Sequence, residues 1–504
     1  MMTNMRLKIF LSLILTAAIG FSCEESLEVK TRSQLTEELV LKDVTTAQSF
    51  INGILATMRN GAYYGNNFIV FPELLADNCK LVNAGDRSGR GLNQSINLSG
   101  AHINIWFLYQ TINRINILLD AINKGDIVLT SQADAITVDR VKGQALFMRA
   151  LFYFDLVRTY SYNPNYIIKD WDKGVPYITA PVRSKDQIEY PSRPTVLSNY
   201  EAIEADLLAA IDAFTATGSP NGTVVNRNVP TRAAAQALLA RLYLYWAGPL
   251  YPEKYALASQ FATEAIASAF AVPVANATAL NAQWTTSQVN SESIFEVAIA
   301  IQAENLGGDN SLQGWYTRQV NAAGQRVTGW GDVIASDELI AEYNQATDAR
   351  FINLTQRAVR DFEPALSRET RKYNNTGTLL FGHDNIPVIR IAEMFLIRAE
   401  ANLLGAAPDE NAARADLNVL RLRSGLTSLD PLTATGAALV SEVFSERRRE
   451  LAFEGHRLFD FTRRGLDVLK PGGNVIEYED FRVLANVPLV EIQANVNLEQ
   501  NPGY

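Results

Sequence analysis

Arg232-Ala233-Ala234-Ala235-Gln236-Ala237-Leu238-Leu239-Ala240-Arg241-Leu242-Tyr243-Leu244-Tyr245-Trp246 is the stretch whose reading decides the fold class. It contains no glycine or proline and is rich in alanine, so it reads as a helix that a second helix can approach closely. Residues 255–269 read as that second helix. Between them, Gly248, Pro249 and Pro252 cannot continue a helix, which makes the whole a helix-turn-helix pair. The layout recurs downstream. Residues 391–404 and 412–424 carry helical patterns separated by Gly405 and Pro408, with Ala399 and Ala401 on the first helix. Upstream, Val141, Ala145, Met148, Phe152 and Leu156 lie three or four apart and give residues 141–160 a wide apolar helical face. The expectation is a mainly α protein built by tetratricopeptide-like pairing of helices.

Between the helix pairs, over about 271–387, the sequence changes to Gly, Asn, Thr and Ser with scattered aromatics and little sustained period. This predicts a loop-rich, partly β region. Loops held on a rigid helical frame are where binding residues concentrate.

The N-terminus carries a different signal. Arg6 and Lys8 lead into an apolar run over 9–21 that stops at Ser22-Cys23. A charged start, an apolar run too short to span a bilayer and a small residue before the cut are the marks of an exported lipoprotein. Residues 1–22 are expected to be removed, Cys23 to carry lipid, residues 23–40 to form a tether, and residues 41–504 to form one domain. Lipid would anchor this body without a spanning helix. With Cys23 lipidated, Cys79 has no disulfide partner and reads as a small buried side chain. The formal net charge of −9 and a pI near 5.2 argue against a nucleic-acid surface, and the densest basic cluster, Arg447 to Arg449, is flanked by Glu446 and Glu450.

Several motifs spread over the chain together resemble one family. Glu73-Leu74-Leu75-Ala76-Asp77-Asn78 is followed by Trp106, Tyr109 and Ile112-Asn113-Arg114-Ile115-Asn116, and then by Gly143-Gln144-Ala145-Leu146-Phe147-Met148-Arg149-Ala150-Leu151-Phe152-Tyr153. Glu446-Arg447-Arg448-Arg449-Glu450-Leu451-Ala452-Phe453-Glu454-Gly455-His456-Arg457 and the ending Asn495-Val496-Asn497-Leu498-Glu499-Gln500-Asn501-Pro502-Gly503-Tyr504 complete the set. The pattern resembles the SusD/RagB outer-membrane lipoproteins of Bacteroidetes. The resemblance implies a lipid-anchored glycan-binding protein on the cell exterior that serves a SusC-like TonB-dependent transporter. It also implies no chemistry of its own and no cofactor. Physically, Glu446, Arg449, Glu450 and Arg457 read as a satisfied charge network where a helix ending at Gly455 turns back, a structural role.

Sugar recognition needs an aromatic ring under the C–H face of a pyranose and polar side chains for its hydroxyls. Trp330 stands between Gly329 and Gly331, a setting unlike a helix core, and is the first candidate. Trp315 and Tyr316 lie in a Gly/Asn context and come next, followed by Trp284 and by Tyr64 beside Asn66 and Asn67. The resemblance adds the loop after the first motif, with Asn83, Asp86 and Arg87 as hydrogen-bonding groups and no aromatic. A peptide-binding relative would lean instead on Asp86, Arg87 and Arg326. No metal-ligating or nucleophile motif accompanies the three histidines, His102, His383 and His456. A glycoside hydrolase, needing two carboxylates about 5 to 10 Å apart, is the enzyme alternative.

Overall fold

Five of the long helices start where a capping side chain satisfies their first free amides. In the computed structural model, which describes residues 41–81, 103–219, 226–285, 289–308, 310–320, 326–357, 368–373, 381–431 and 433–504, α1 (Val44–Ala56) is capped by Asp43 and Thr46, and α2 (Leu108–Lys124) precedes α3 (Gln132–Tyr160), which opens with a Ser131–Asp134 capping box. Thr195 caps α4 (Val196–Ala216) and Thr231 caps α5 (Arg232–Trp246). There follow α6 (Lys254–Ser268), α7 (Ile391–Leu404), α8 (Glu410–Arg423, capped by Asp409) and α9 (Gly436–Leu451).

From α2 onward each of these helices packs on the one before it and the one after it, and α1 covers α2 and α3. This is the stacking of a helical-repeat scaffold, as the helix pairs in the sequence predict. Apart from its first residue, α5 is buried all round. Ala258, Ala262 and Ala265 on α6 meet its alanine-rich surface, and side chains this small let the two axes come close. Arg241, in the middle of α5, is tied to Glu393 of α7 through Nε–Oε1 (2.8 Å) and Nη2–Oε2 (2.5 Å). Burial disfavours its charge, but Glu393 outweighs that and keeps the guanidinium protonated.

The loop-rich region leaves and re-enters this frame through one two-stranded sheet, in which Ser293–Val297 pairs antiparallel with Ile386–Arg390 just before α7. Within it stand a short helix, Ala277–Thr285, and the hairpin Gln319–Val320/Arg326–Thr328. The strand Val333–Ala335 pairs with Cys79–Leu81. Cys79 is a buried free thiol.

The two most charged motifs meet in the interior. Glu73 accepts hydrogen bonds from the backbone of Phe453 (3.2 Å), Gly455 (2.9 Å) and His456 (3.0 Å) and from Asn78 (2.7 Å). Asp77 pairs with Arg457 (2.6 Å) and Arg448 (3.0 Å). Glu450 is surrounded by Arg423 (2.6 Å), Arg390 (3.0 Å) and Arg350 (3.2 Å). Burial pushes its carboxyl up, but these cations and Lys372 overcome that and hold it well below the usual carboxylate range. α9 ends at Leu451, four residues earlier than the sequence suggests, and the chain turns back through Phe453 and Gly455. Gly455 adopts φ +80°, and a Cβ there would meet the backbone of Phe68 and Ile69 at 2.9 Å. The motif is a structural seam between the chain's two ends.

Candidate ligand-binding face

Two of the aromatic candidates, Trp315 and Trp330, are brought close together along the backbone. The short helix Leu312–Tyr316 is capped by Ser311 and leads into the hairpin Gln319–Val320/Arg326–Thr328, which returns the chain to Gly329-Trp330-Gly331. The backbone N–H groups of Trp330 and Gly331 both donate to the carbonyl of Gly314, at 2.6 and 3.0 Å. The Trp330 loop is thus fastened to the residue before Trp315. Both tryptophans are half-buried. Trp315 leans on Phe71, with ring centroids 6.0 Å apart.

Glycine is required in this loop. Gly329 has φ +69°, and a Cβ there would lie 2.4 Å from the carbonyl of Thr317 and 2.7 Å from the ring of Phe381. Further ties hold the face to the frame. Asn66 donates to the carbonyl of Asn310 (2.7 Å), and Gly382 donates to the side chain of Gln313 (2.5 Å). The strand after Trp330 docks on Cys79–Leu81, directly behind the Glu73–Asn78 motif. The charge seam therefore sets the position of the aromatic loops.

The structure corrects three of the candidates. Tyr316 is 0% exposed, stacked with Tyr373 and edge-on to Phe453. Neighbouring helical positions point about 100° apart, so when Trp315 faces out Tyr316 faces in. Trp284 is 3% exposed. The helix Ala277–Thr285, which the sequence reading missed, turns it inward against Tyr373, with Lys372 and Arg390 over its ring at 5.1 and 5.4 Å. Tyr64 is also 3% exposed and packs on Tyr63 and Phe68. Its polar neighbours Asn66 and Asn67 belong to the start of the next helix, Asn67–Leu74. None of these three side chains can touch a ligand in this structure. Asn83, Asp86 and Arg87, the lipidation candidate Cys23 and His102 lie outside the described residues, as does the side chain of Arg326.

Phe71 and Phe381, both half-buried, join the face without having been singled out from sequence. Phe381 precedes Gly382, so the aromatic-beside-glycine signal that marked Trp330 marks it too. Among the described residues no group of three or more His, Cys, Asp or Glu side chains is placed to hold a metal ion. No described helix is long and apolar enough to cross a membrane.

The geometry can now be set beside known proteins. A family pattern described as "Starch-binding associating with outer membrane" matches residues 25–244, and one described as "SusD family" matches residues 366–504. The chain belongs to the SusD family. SusD-like protein P2 of Formosa agariphila is 26% identical over 99% of both chains. A crystallised SusD superfamily protein of Bacteroides thetaiotaomicron is 25% identical, with a TM-score of 0.75 over 91% of this chain and 100% of that one. A laminarin-binding SusD-like protein shares the fold at 24% identity, with a TM-score of 0.68 over 92% of this chain and 100% of that one. The SusD scaffold of paired helices is thus the architecture expected from the sequence.

Proposed function

We propose that this SusD-family protein captures glycan chains at the cell surface with the shallow aromatic face around Trp330 and Trp315, and hands them to a SusC-like TonB-dependent transporter in the outer membrane. The observation that carries this reading is the pair of half-buried tryptophans held near each other by a glycine-framed loop, in which Trp330 and Gly331 donate to the carbonyl of Gly314, the residue before Trp315. A rigid aromatic pair at a solvent boundary suits the apolar face of a sugar ring and loses little entropy on binding. Asn83, Asp86 and Arg87 are the proposed hydroxyl-binding groups. The laminarin-binding relative of the same fold supports a glycan as the ligand class.

Residues 41–504 act as one body in this proposal, tethered through residues 23–40 to a lipid on Cys23. The protein binds and does not cleave. The test is affinity electrophoresis of the protein against a panel of polysaccharides and peptide mixtures, with Trp330→Ala alongside and reducing ends measured in the same incubations. Retardation by a glycan that disappears in the variant, with no new reducing ends, is the expected result. Retention of peptides alone, or release of reducing sugar, would overturn it.

A further inference from the structure

A groove of about 410 Å³ lies elsewhere on the scaffold, between α2, α3 and the extended segment 176–183. That segment is pinned at two points. Asn113 donates to the carbonyl of Val182 (2.8 Å) and accepts from its N–H (2.7 Å). The Tyr153 hydroxyl accepts from Ile178 N–H (2.7 Å), and Asn116 donates to the Ile178 carbonyl (2.9 Å). Between the pins exposed Thr179 and Ala180, with half-buried Pro181, form a rim, while Leu119 and Leu146 give the groove a buried apolar floor. A groove of this volume with an apolar floor and mostly polar walls has room for a small polar ligand.

The charges around the groove do not cancel. Arg149 is neutralised by a two-point pair with Asp206 (2.7 and 2.6 Å). Asp120 faces two cations, Lys124 and Arg183, each at 2.7 Å. Lys142 lines the groove and meets no ion-pair or hydrogen-bond partner among the described residues, and the same holds for the N–H groups of Thr179 and Ala180. Lys142 in the lining and Lys124 and Arg183 beside it thus stand against the single carboxylate of Asp120, giving the groove a cationic side with unused donors on a chain whose formal charge is −9.

We infer that this groove is a second binding site, separate from the tryptophan face, for an acidic sugar, with Lys142 meeting the anionic group and the rim amides meeting hydroxyls or the same anion. The anion is a carboxylate, as on a uronic acid, or a sulfate ester. Both offer oxygens to an ammonium and to N–H donors.

The test is isothermal calorimetry of the protein with oligogalacturonate, with a sulfated galactan oligosaccharide and with a neutral galactan oligosaccharide of the same length. Lys142→Met, Trp330→Ala and the parent are compared, and thermal melts confirm folding. The expected result is binding of one anionic probe, weakened by added salt, unchanged in Trp330→Ala, and weaker by about tenfold in Lys142→Met, the order of one charge-assisted contact. The carboxylate and sulfate arms identify which anion is taken. Equal binding of neutral and anionic probes, an unaffected Lys142→Met variant, or no binding by either anion would overturn the inference.

Discussion

The seam around Glu450 and the loop around Trp330 differ in almost every respect. The seam is dense in charge, with Arg350, Arg390, Arg423 and Glu450 each at most 3% exposed, and every carboxylate described there is met by guanidinium, amide or ammonium groups. The loop Gly329-Trp330-Gly331 is uncharged and glycine-framed, with both glycines buried and the Trp330 side chain half-buried. A cluster such as Glu446-Arg447-Arg448-Arg449-Glu450 invites a catalytic or binding reading. Here its charges are spent on one another, and the uncharged aromatic loop is the part that keeps a ring partly in solvent. Charge density in the chain marks where its ends are locked together, and glycine-framed aromatics mark where a ligand can be met.

The largest effect expected from this contrast is in the seam. Glu450→Ala strips Arg350, Arg390 and Arg423 of their shared carboxylate and should destabilise the protein by about 3–5 kcal/mol, the cost of leaving buried charge uncompensated. Denaturant titration measures it, and a loss near zero would remove the seam from the account. Acid should act on the same groups. Glu446, Glu450, Glu454 and Asp460 titrate below their ordinary values because, although burial opposes it, the facing Arg and Lys groups favour the charged forms. Their stabilisation is present above the unfolded-state values, near 4, and is lost as pH falls through the lower folded-state values. Urea midpoints measured from pH 7 downward should hold until about pH 4 and then drop, while Glu450→Ala should show a shallower drop.

Smaller effects belong to the loop. Gly329→Ala forces a Cβ into a φ of +69° against the Thr317 carbonyl, and should cost roughly 1–3 kcal/mol of local strain while weakening glycan retention. Trp330→Ala should change stability less than Glu450→Ala, by about 1–2 kcal/mol, because the half-buried ring carries no charge and leaves no ion unpaired. An effect on melting as large as that of Glu450→Ala would move Trp330 into the core and collapse the contrast.

How much of this was legible in the sequence follows from the same physics. The helices Arg232–Trp246 and Ile391–Leu404 are read from the sequence because each runs unbroken by glycine or proline up to a breaking segment, Gly248-Pro249 and Gly405 to Pro408. The structural role of Glu450 and Arg457 was legible because balanced charges around a turn predict mutual satisfaction. Tyr316, Trp284 and Tyr64 were misread because polar or glycine neighbours do not fix which way a ring points. Orientation came from elements too short to show a period, such as Leu312–Tyr316 and Ala277–Thr285. The partners of the seam, hundreds of residues apart as in Glu73 and Gly455, are beyond any local reading.

Calorimetric titration of the glycan retained by the parent protein into Trp330→Ala and Trp315→Ala, with thermal melts of the same samples, tests the central claim most directly. The account predicts that binding is lost in Trp330→Ala and reduced in Trp315→Ala while both melt close to the parent. Binding that survives in both variants while their melting temperatures fall would show that the two tryptophans serve the core and that the ligand is met elsewhere.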